Sequence, residues 1–307
     1  MRILVTGGAG FIGSNLVERL VKDGHDVIVL DNLLRGNKIP NEIMPKIEFV
    51  KGDVRDFDTV LKLTKGCHII FHLAAILGVD VVADNPIETM DVEVIGMRNI
   101  TNAAIENGVK KILYASTSGI YGHSAIEQAV NEEIMVDPRT SYAMAKRFNE
   151  IYLAALYSEK KLSSVAIRFF NVYGYRQDNR MVIPRFFEQA TAGEPITVFG
   201  SGKQTRDFTF IDDTVNAVIL LMENVDGCEI VNIANENEGD IEQLAFAIKK
   251  ITNSSSEIKY IDVDKKRYDY EVERRFGSSD KLYRLTGYKP DTDLEEGLQK
   301  TFGLIPS

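Results

Sequence analysis

Two cysteines and four histidines are all the thiol and imidazole that the 307 residues carry. Cys67 and Cys228 cannot build a disulfide framework and read as small core residues. The histidines are scattered without ligand-like spacing, so no metal site is expected. No apolar run reaches the roughly 20 residues that span a bilayer. The N-terminus opens on a core strand and has no signal-peptide organisation. A cytoplasmic location without a membrane partner is therefore expected. Positive charge is also short, with 36 lysines and arginines against 45 acids and a net charge of −9. With no concentrated basic stripe, nucleic acid is excluded as a partner, and anionic small ligands are left to local arginines. Internal repeats, low-complexity tracts and long disordered linkers are missing too.

What is present is an ordinary globular composition, 44% hydrophobic and 26% charged, enough to bury a sizeable core in one or two domains. The opening is strongly ordered. Ile3, Leu4 and Val5 make an apolar run suited to a parallel strand buried on both faces. Glycines follow at 7, 10 and 13. Gly7 permits a tight turn, Gly10 lets the backbone approach a pyrophosphate, and Gly13 lets a helix pack close on the strand. Free N–H groups at the helix start then face the anion. Leu16, Val17 and Leu20 keep helical spacing, Gly24 ends the helix, and 27–30 form a second strand that delivers Asp31 to its end. A carboxylate there accepts hydrogen bonds from adenosine ribose hydroxyls and repels a 2′-phosphate. NAD is favoured over NADP, although Arg35 nearby leaves the phosphorylated cofactor open.

Further strand-like runs recur at 47–50, 68–73, 111–115 and 164–169, separated by helix-length segments around 56–65, 86–107 and 142–161. The alternation predicts an α/β fold, a Rossmann-type doubly wound parallel sheet. After Phe170, Gly174, Pro184, Gly193, Pro195, Gly200 and Gly202 punctuate short elements, with later helical patterns near 239–252 and 295–303. This part reads as a smaller mixed α/β cap region that binds substrate. The expected division is residues 1–171 with about 207–235 for the cofactor, and about 172–206 with 236–307 for the substrate.

Tyr142 and Lys146 stand four residues apart, on one face of a predicted helix. An ammonium there lowers the phenol's pKa from about 10, which is what a tyrosine needs to act as a base at neutral pH. The bland alternative is a core edge beside a solvated lysine. Just upstream, Tyr114-Ala-Ser-Thr-Ser-Gly-Ile-Tyr-Gly122 ends a strand in hydroxyls.

Thr6 to Gly13, Asp31, Asp53-Val54, His72-Leu-Ala-Ala75, Ser116-Thr-Ser118, Tyr142 with Lys146, and Arg168-Phe-Phe-Asn-Val-Tyr-Gly174 occur in order. With them the chain resembles the extended short-chain dehydrogenase/reductases of the nucleotide-sugar epimerase/dehydratase group, of the UDP-glucose 4-epimerase kind. The resemblance runs to about residue 300 and includes Gly200-Ser-Gly-Lys-Gln-Thr-Arg-Asp-Phe-Thr-Phe-Ile-Asp-Asp213, which looks like the group's substrate-binding segment. It implies Tyr142 as acid/base on a sugar hydroxyl, Lys146 as its tuner and ribose contact, and Thr117 as the catalytic hydroxyl, with Ser116 and Ser118 as adjacent alternatives. It implies cofactor contacts at Gly7, Gly10, Phe11, Ile12, Gly13, Asp31, Asn32, Asp53, Val54, Leu73, Ala74 and Ala75, besides Tyr142 and Lys146. Substrate contacts are implied at Ser118, Asn171, Val198, Arg206 and Arg267, the arginines suiting a diphosphate. Helices near 86–107 and 142–161, with Ile95, Ile100, Ile151 and Leu156, correspond to the pair that forms a four-helix dimer interface, so a homodimer is implied.

The group's members begin by oxidising the sugar at C4 and differ in the steps after that oxidation. Dehydratases resembling this chain place Asp-Glu directly after the catalytic threonine, and glucuronate decarboxylases usually place Glu after the Thr-Ser pair. Here those positions hold Ser118 and Gly119. The simplest remaining chemistry is inversion at C4, a UDP-hexose or UDP-hexuronate 4-epimerase. A displaced carboxylate such as Glu127 keeps decarboxylase or dehydratase chemistry as the alternative, and a non-catalytic NAD-binding regulator is a further one.

Overall fold

The computed structural model describes residues 1–76, 79–125, 129–262 and 273–304. They fall into two compact units. The first comprises 1–120, 138–168 and 218–231, and the second 121–137, 169–217 and 232–307.

The first unit is built on a seven-stranded sheet. Its strands are β1 (Arg2–Thr6), β2 (Asp26–Asp31), β3 (Glu48–Lys51), β4 (Ile69–His72), β5 (Lys111–Thr117) and β6 (Ser163–Phe169). β7 (Ile196–Phe199) and β8 (Thr205–Asp207) belong elsewhere, and β9 (Cys228–Ile233) closes the edge, giving the order β3-β2-β1-β4-β5-β6-β9. β1 pairs in parallel with β2 on one side and β4 on the other, with Val5 opposite Val29 and Phe71. The chain order therefore reverses direction at the β1/β4 boundary, the switch point at which open α/β sheets bind ligands. Ile3, Leu4, Val5 and Val27 to Val29 are fully buried, as strands covered on both faces must be. The sequence pattern lacks β9. Glu229 and Asn232 interrupt its apolar run, and as an edge strand its first three residues are only half-buried.

Around the sheet, α1 (Phe11–Lys22) buries Leu16, Val17 and Leu20. α2 (Phe57–Thr64) is capped by the Asp56 carboxylate, which accepts from Thr59 N–H. The single helix expected near 86–107 is three pieces: an α-helical turn Pro86–Met90, a π-helical turn Asp91–Ile95, and an α-helix Gly96–Glu106. A Cβ on Gly96 would stand 2.7 Å from Val54 Cγ2, so only glycine lets this helix approach the β3 end so closely. The helix Ser141–Lys160 starts at Thr140, whose hydroxyl accepts from Ala143 N–H at 3.0 Å.

In the second unit, β10 (Glu238–Asp240), β8 and β12 (Arg274–Arg275) form one small sheet, and β11 (Ile258–Ile261) pairs in parallel with β7. Asp207 at the end of β8 is fully buried and gathers three main-chain donors, Asn235 N–H at 2.8 Å, Glu236 N–H at 3.2 Å and Gly277 N–H at 3.3 Å. Burial pushes its carboxyl up to about 7 against the pull of those donors.

Two buried groups give stability opposite pH dependences. His72 at the end of β4 is held neutral, down to about 3, by burial and then by the Lys146 charge. Its contribution is therefore present above pH 6.5 and lost as pH falls towards 3. The Asp207 contribution is present below the ordinary carboxyl range and lost as pH rises through about 7. Urea midpoints measured from about pH 4 to 7 should show a His72→Gln variant losing up to about 1.4 kcal/mol per pH unit of the acid-side slope. An Asp207→Asn variant should be less stable throughout, by about 2 kcal/mol or more, because its amide NH2 faces main-chain N–H donors.

Candidate active site

The glycine turn is a cradle shaped by what it leaves out. Gly7 has φ +70°, and a Cβ there would lie 2.7 Å from Ala74 N. A Cβ on Gly13 would lie 2.2 Å from Gly7 O, inside any permitted contact. α1 begins at once after Gly10, with no side-chain cap on its first N–H groups. These donors are left for an anion, and the backbone of Leu73 and Ala74, just past β4, runs beside Gly7. Asp31 closes the turn from β2. One carboxylate oxygen accepts from Ala9 N–H at 2.9 Å and the other from Leu33 N–H at 2.8 Å, while burial raises the acid above its ordinary range. A carboxylate so held keeps lone pairs for a ribose hydroxyl. This cradle fits a dinucleotide such as NAD, with Gly7 to Gly13 for the pyrophosphate and Asp31 for the adenosine ribose.

Asp53 is differently engaged. Arg55 grips its carboxylate with two guanidinium bonds of 3.0 and 2.7 Å, which hold the acid below its usual range. Val54 beside it is buried, and its carbonyl accepts from Asn99 Nδ2 at 3.0 Å. Asn32 accepts from Leu34 N–H through its side-chain oxygen at 2.9 Å.

The structure brings Tyr142, Lys146 and Thr117 together. The Thr117 hydroxyl accepts from Gly119 N–H at 3.0 Å, and it acts on the Tyr142 phenol in the direction that favours ionisation. Lys146 is completely buried, its ammonium 5.3 Å from the centre of the Tyr142 ring and 4.7 Å from that of Tyr114. Its charge is met by a carboxylate that no sequence motif indicated. Glu93 Oε2, from the π-helical turn, stands 3.0 Å from Lys146 Nζ. The phenol of Tyr114 donates to the same oxygen at 3.2 Å, and Asn149 Nδ2 donates to Tyr114 Oη at 2.8 Å and to the Glu93 carbonyl at 3.1 Å. Burial pushes Tyr142 far above its ordinary value, the Glu93 charge adds to that, and Thr117 opposes it.

The choice among the three hydroxyls is made by the strand. Ser116 donates to Glu150 Oε1 at 2.7 Å, and Glu150 is also clamped by Arg168 at 2.9 and 2.8 Å, all three residues being buried. Ser116 is thereby part of the scaffold, and its neighbour Thr117 points the other way, as alternation in a strand requires. Ser118 is buried as well.

Of the expected substrate contacts in the second unit, Asn171 holds a positive φ of 27° and donates from Nδ2 to the Asp207 carbonyl at 3.1 Å. Arg206 is half-buried and donates to Thr205 O at 2.7 Å. The Val198 side chain is fully buried, leaving only its backbone to meet a ligand. Arg267 and Glu127 lie outside the described residues. Among the described residues there is no cluster that could hold a metal ion, and no helix is long and apolar enough to cross a membrane.

The profile of the NAD dependent epimerase/dehydratase family matches residues 3–234. A UDP-N-acetyl-alpha-D-glucosaminuronate decarboxylase of Bacillus cytotoxicus is 37% identical over 98% of this chain and 96% of its own length. A putative UDP-glucose 4-epimerase of Methanocaldococcus jannaschii is 36% identical over 97% and 96%. The crystal structure of the Thermotoga maritima UDP-glucose 4-epimerase with UDP-glucose superposes with a TM-score of 0.93 at 33% identity, covering 99% of this chain and 98% of that one. The cofactor is NAD, and the chain belongs to the NAD-dependent epimerase/dehydratase family of nucleotide-sugar enzymes.

Proposed function

We propose that the chain is a nucleotide-sugar 4-epimerase acting on a UDP-hexose or UDP-hexuronate through a transient 4-keto sugar. The observation that carries this reading is Gly119. The position at which the family resemblance implies a carboxylate for a decarboxylase or dehydratase holds glycine here, with only a main-chain N–H, which donates to Thr117. Any Cβ there would stand 3.2 Å from Thr117 Oγ1 and press on the hydroxyl. Glu93 does not replace the missing acid, because it is spent on Lys146. The chain neighbours of Thr117, Ser116, Ser118 and Gly119, supply no carboxylate to deprotonate C5 or protonate a C6 hydroxyl.

In this reading Thr117 and Tyr142 share the C4 hydroxyl of the sugar. Thr117 orients the oxygen and relays its proton, and Tyr142 takes that proton and later returns it. Lys146 holds the nicotinamide ribose, Gly7 to Gly13 with the N–H groups of Phe11 and Ile12 hold the pyrophosphate, and Asp31 holds the adenosine ribose. Asn171 and Arg206 bind the substrate diphosphate, with Ser118 and the Val198 backbone as further contacts. NAD, when bound, would supply the hydride acceptor and donor that inversion at C4 requires. The B. cytotoxicus relative supports a second reading, decarboxylation of a uronate, since a 4-keto acid loses carbon dioxide readily once formed.

The chain is proposed to act as a homodimer. Ile100 and Leu156, counted towards an interface by the resemblance, pack instead in the core of their own unit. The exposed apolar row is Met144 (51%), Phe148 (49%) and Ile151 (56%) on the helix Ser141–Lys160, with Ile87 and Met90 on the neighbouring turn. A patch of this kind on a chain of net charge −9 needs a partner surface to cover it.

Three outcomes are expected. Proton NMR and mass time courses on a panel of UDP- and dTDP-sugars should give a product of unchanged mass with an inverted C4 coupling pattern. Loss of carbon dioxide or water would establish the second reading or a dehydratase. Tyr142→Phe should lower turnover by about 10²-fold to 10⁴-fold while cofactor stays bound. Sedimentation should show a dimer for the native chain and a monomer for a Phe148→Glu, Ile151→Glu double variant.

A further inference from the structure

Glu93 is a fully buried carboxylate at the middle of a π-helical turn, a local widening that α-helical spacing does not provide. The groups packed around it come from three other elements. From β4, His72 stacks on Tyr114 at 5.8 Å and is held neutral by its burial. From β5 come Tyr114, which donates to Glu93, and Thr117. The helix Ser141–Lys160 contributes Tyr142, Lys146, Asn149 and Glu150. The Glu150 charge is answered by Arg168 and Arg147 at 2.8 and 3.0 Å. The groups left over are Lys146 Nζ and Glu93 Oε2, 3.0 Å apart and out of water; burial raises the Glu93 carboxyl and lowers the Lys146 ammonium, and each charge supports the other against it.

A tyrosine four residues before a lysine is ordinarily read as a phenol biased towards ionisation by the neighbouring cation. Here the cation has its own counter-ion. We propose that Glu93 is a positioning residue for the Tyr142–Lys146 pair: it holds the ammonium in a neutral ion pair, so that Tyr142 stays a phenol until the positive charge of bound NAD supplies the bias that the lysine alone does not. The inference rests on the reading of Tyr142 as the acid/base. It predicts that proton removal from the sugar is tied to cofactor occupancy, which keeps the buried base from being ionised in an empty site.

The test is the ultraviolet titration of the Tyr142 phenol in NAD-free protein, isolated as the difference between each variant and the same variant carrying Tyr142→Phe. Glu93→Gln keeps the shape and an acceptor for the Tyr114 hydroxyl while removing the charge. It should bring a Tyr142 midpoint down into the alkaline range through which the folded protein can be titrated, where the native chain shows none. Lys146→Met should show no such midpoint, and the double variant Glu93→Gln, Lys146→Met should lose the one that Glu93→Gln alone reveals. If Glu93→Gln leaves the buried ammonium unpaired and the chain fails to fold, Glu93→Asp, which keeps the charge but draws it back from Lys146, should move the midpoint in the same direction. A midpoint that the folded Glu93 variant does not bring into that range, with only stability lost, overturns the inference and leaves Glu93 a structural residue. The readout needs neither substrate nor turnover, so it stands or falls separately from the choice between epimerase and decarboxylase.

Discussion

The ammonium of Lys146 is buried without access to water, and the architecture of the first unit around it answers to that constraint. An uncompensated charge in an interior costs several kcal/mol, so a lysine there demands a partner at hydrogen-bond distance. Glu93 supplies it at 3.0 Å, which in turn buries a carboxylate. That carboxylate needs donors of its own and takes one from Tyr114, which Asn149 then fixes in place. The π-helical turn, the approach of Gly96 to Val54 and the fully buried Asn149 all serve to seat this set against the end of β5. Thr117 and Tyr142 are the members of the arrangement whose hydroxyls are left for a ligand.

A second constraint is the close backbone packing of the glycine turn. Gly13 against Gly7 O, and Gly7 against Ala74, bring α1 and the end of β4 to distances that no side chain tolerates. Asp31 then fastens the turn to β2 through Ala9 N–H. The cofactor cradle and Thr117 thus lie at the ends of neighbouring strands in one sheet, β1, β4 and β5, while Tyr142 and Lys146 are brought to them by the helix Ser141–Lys160.

These two sets differed in how plainly the sequence showed them. Gly7, Gly10, Gly13, Asp31 and the four-residue interval from Tyr142 to Lys146 depend on local backbone geometry, so spacing alone exposed them. Glu93 lies in a π-helical turn inside a segment that reads as one continuous helix, and no motif set this acid apart from Asp91 and Glu88 beside it. Its pairing with Lys146, 53 positions away, left no local trace. Ser116, Thr117 and Ser118 looked equivalent as a run of hydroxyls, yet strand alternation separates them: Ser116 is drawn to Glu150, which only the fold brings near. Ile100 and Leu156 carried the periodicity of an apolar stripe, but periodicity does not say whether a stripe meets its own sheet or a second chain. Val198 marked a substrate segment that the fold places on β7, with its side chain turned into the core.

The chemistry proposed here uses Tyr142 and Thr117 for one proton and NAD for one hydride, and it asks nothing of a third acid/base group beside Gly119. The most direct measurement is therefore the fate of a deuterium at C4 of the nucleotide sugar, tracked by NMR and mass spectrometry. The account predicts that the label stays at C4 on the opposite face of a product of unchanged mass, without loss to solvent. Deuterium delivered to C6 with loss of water, or a product lighter by carbon dioxide, would contradict it.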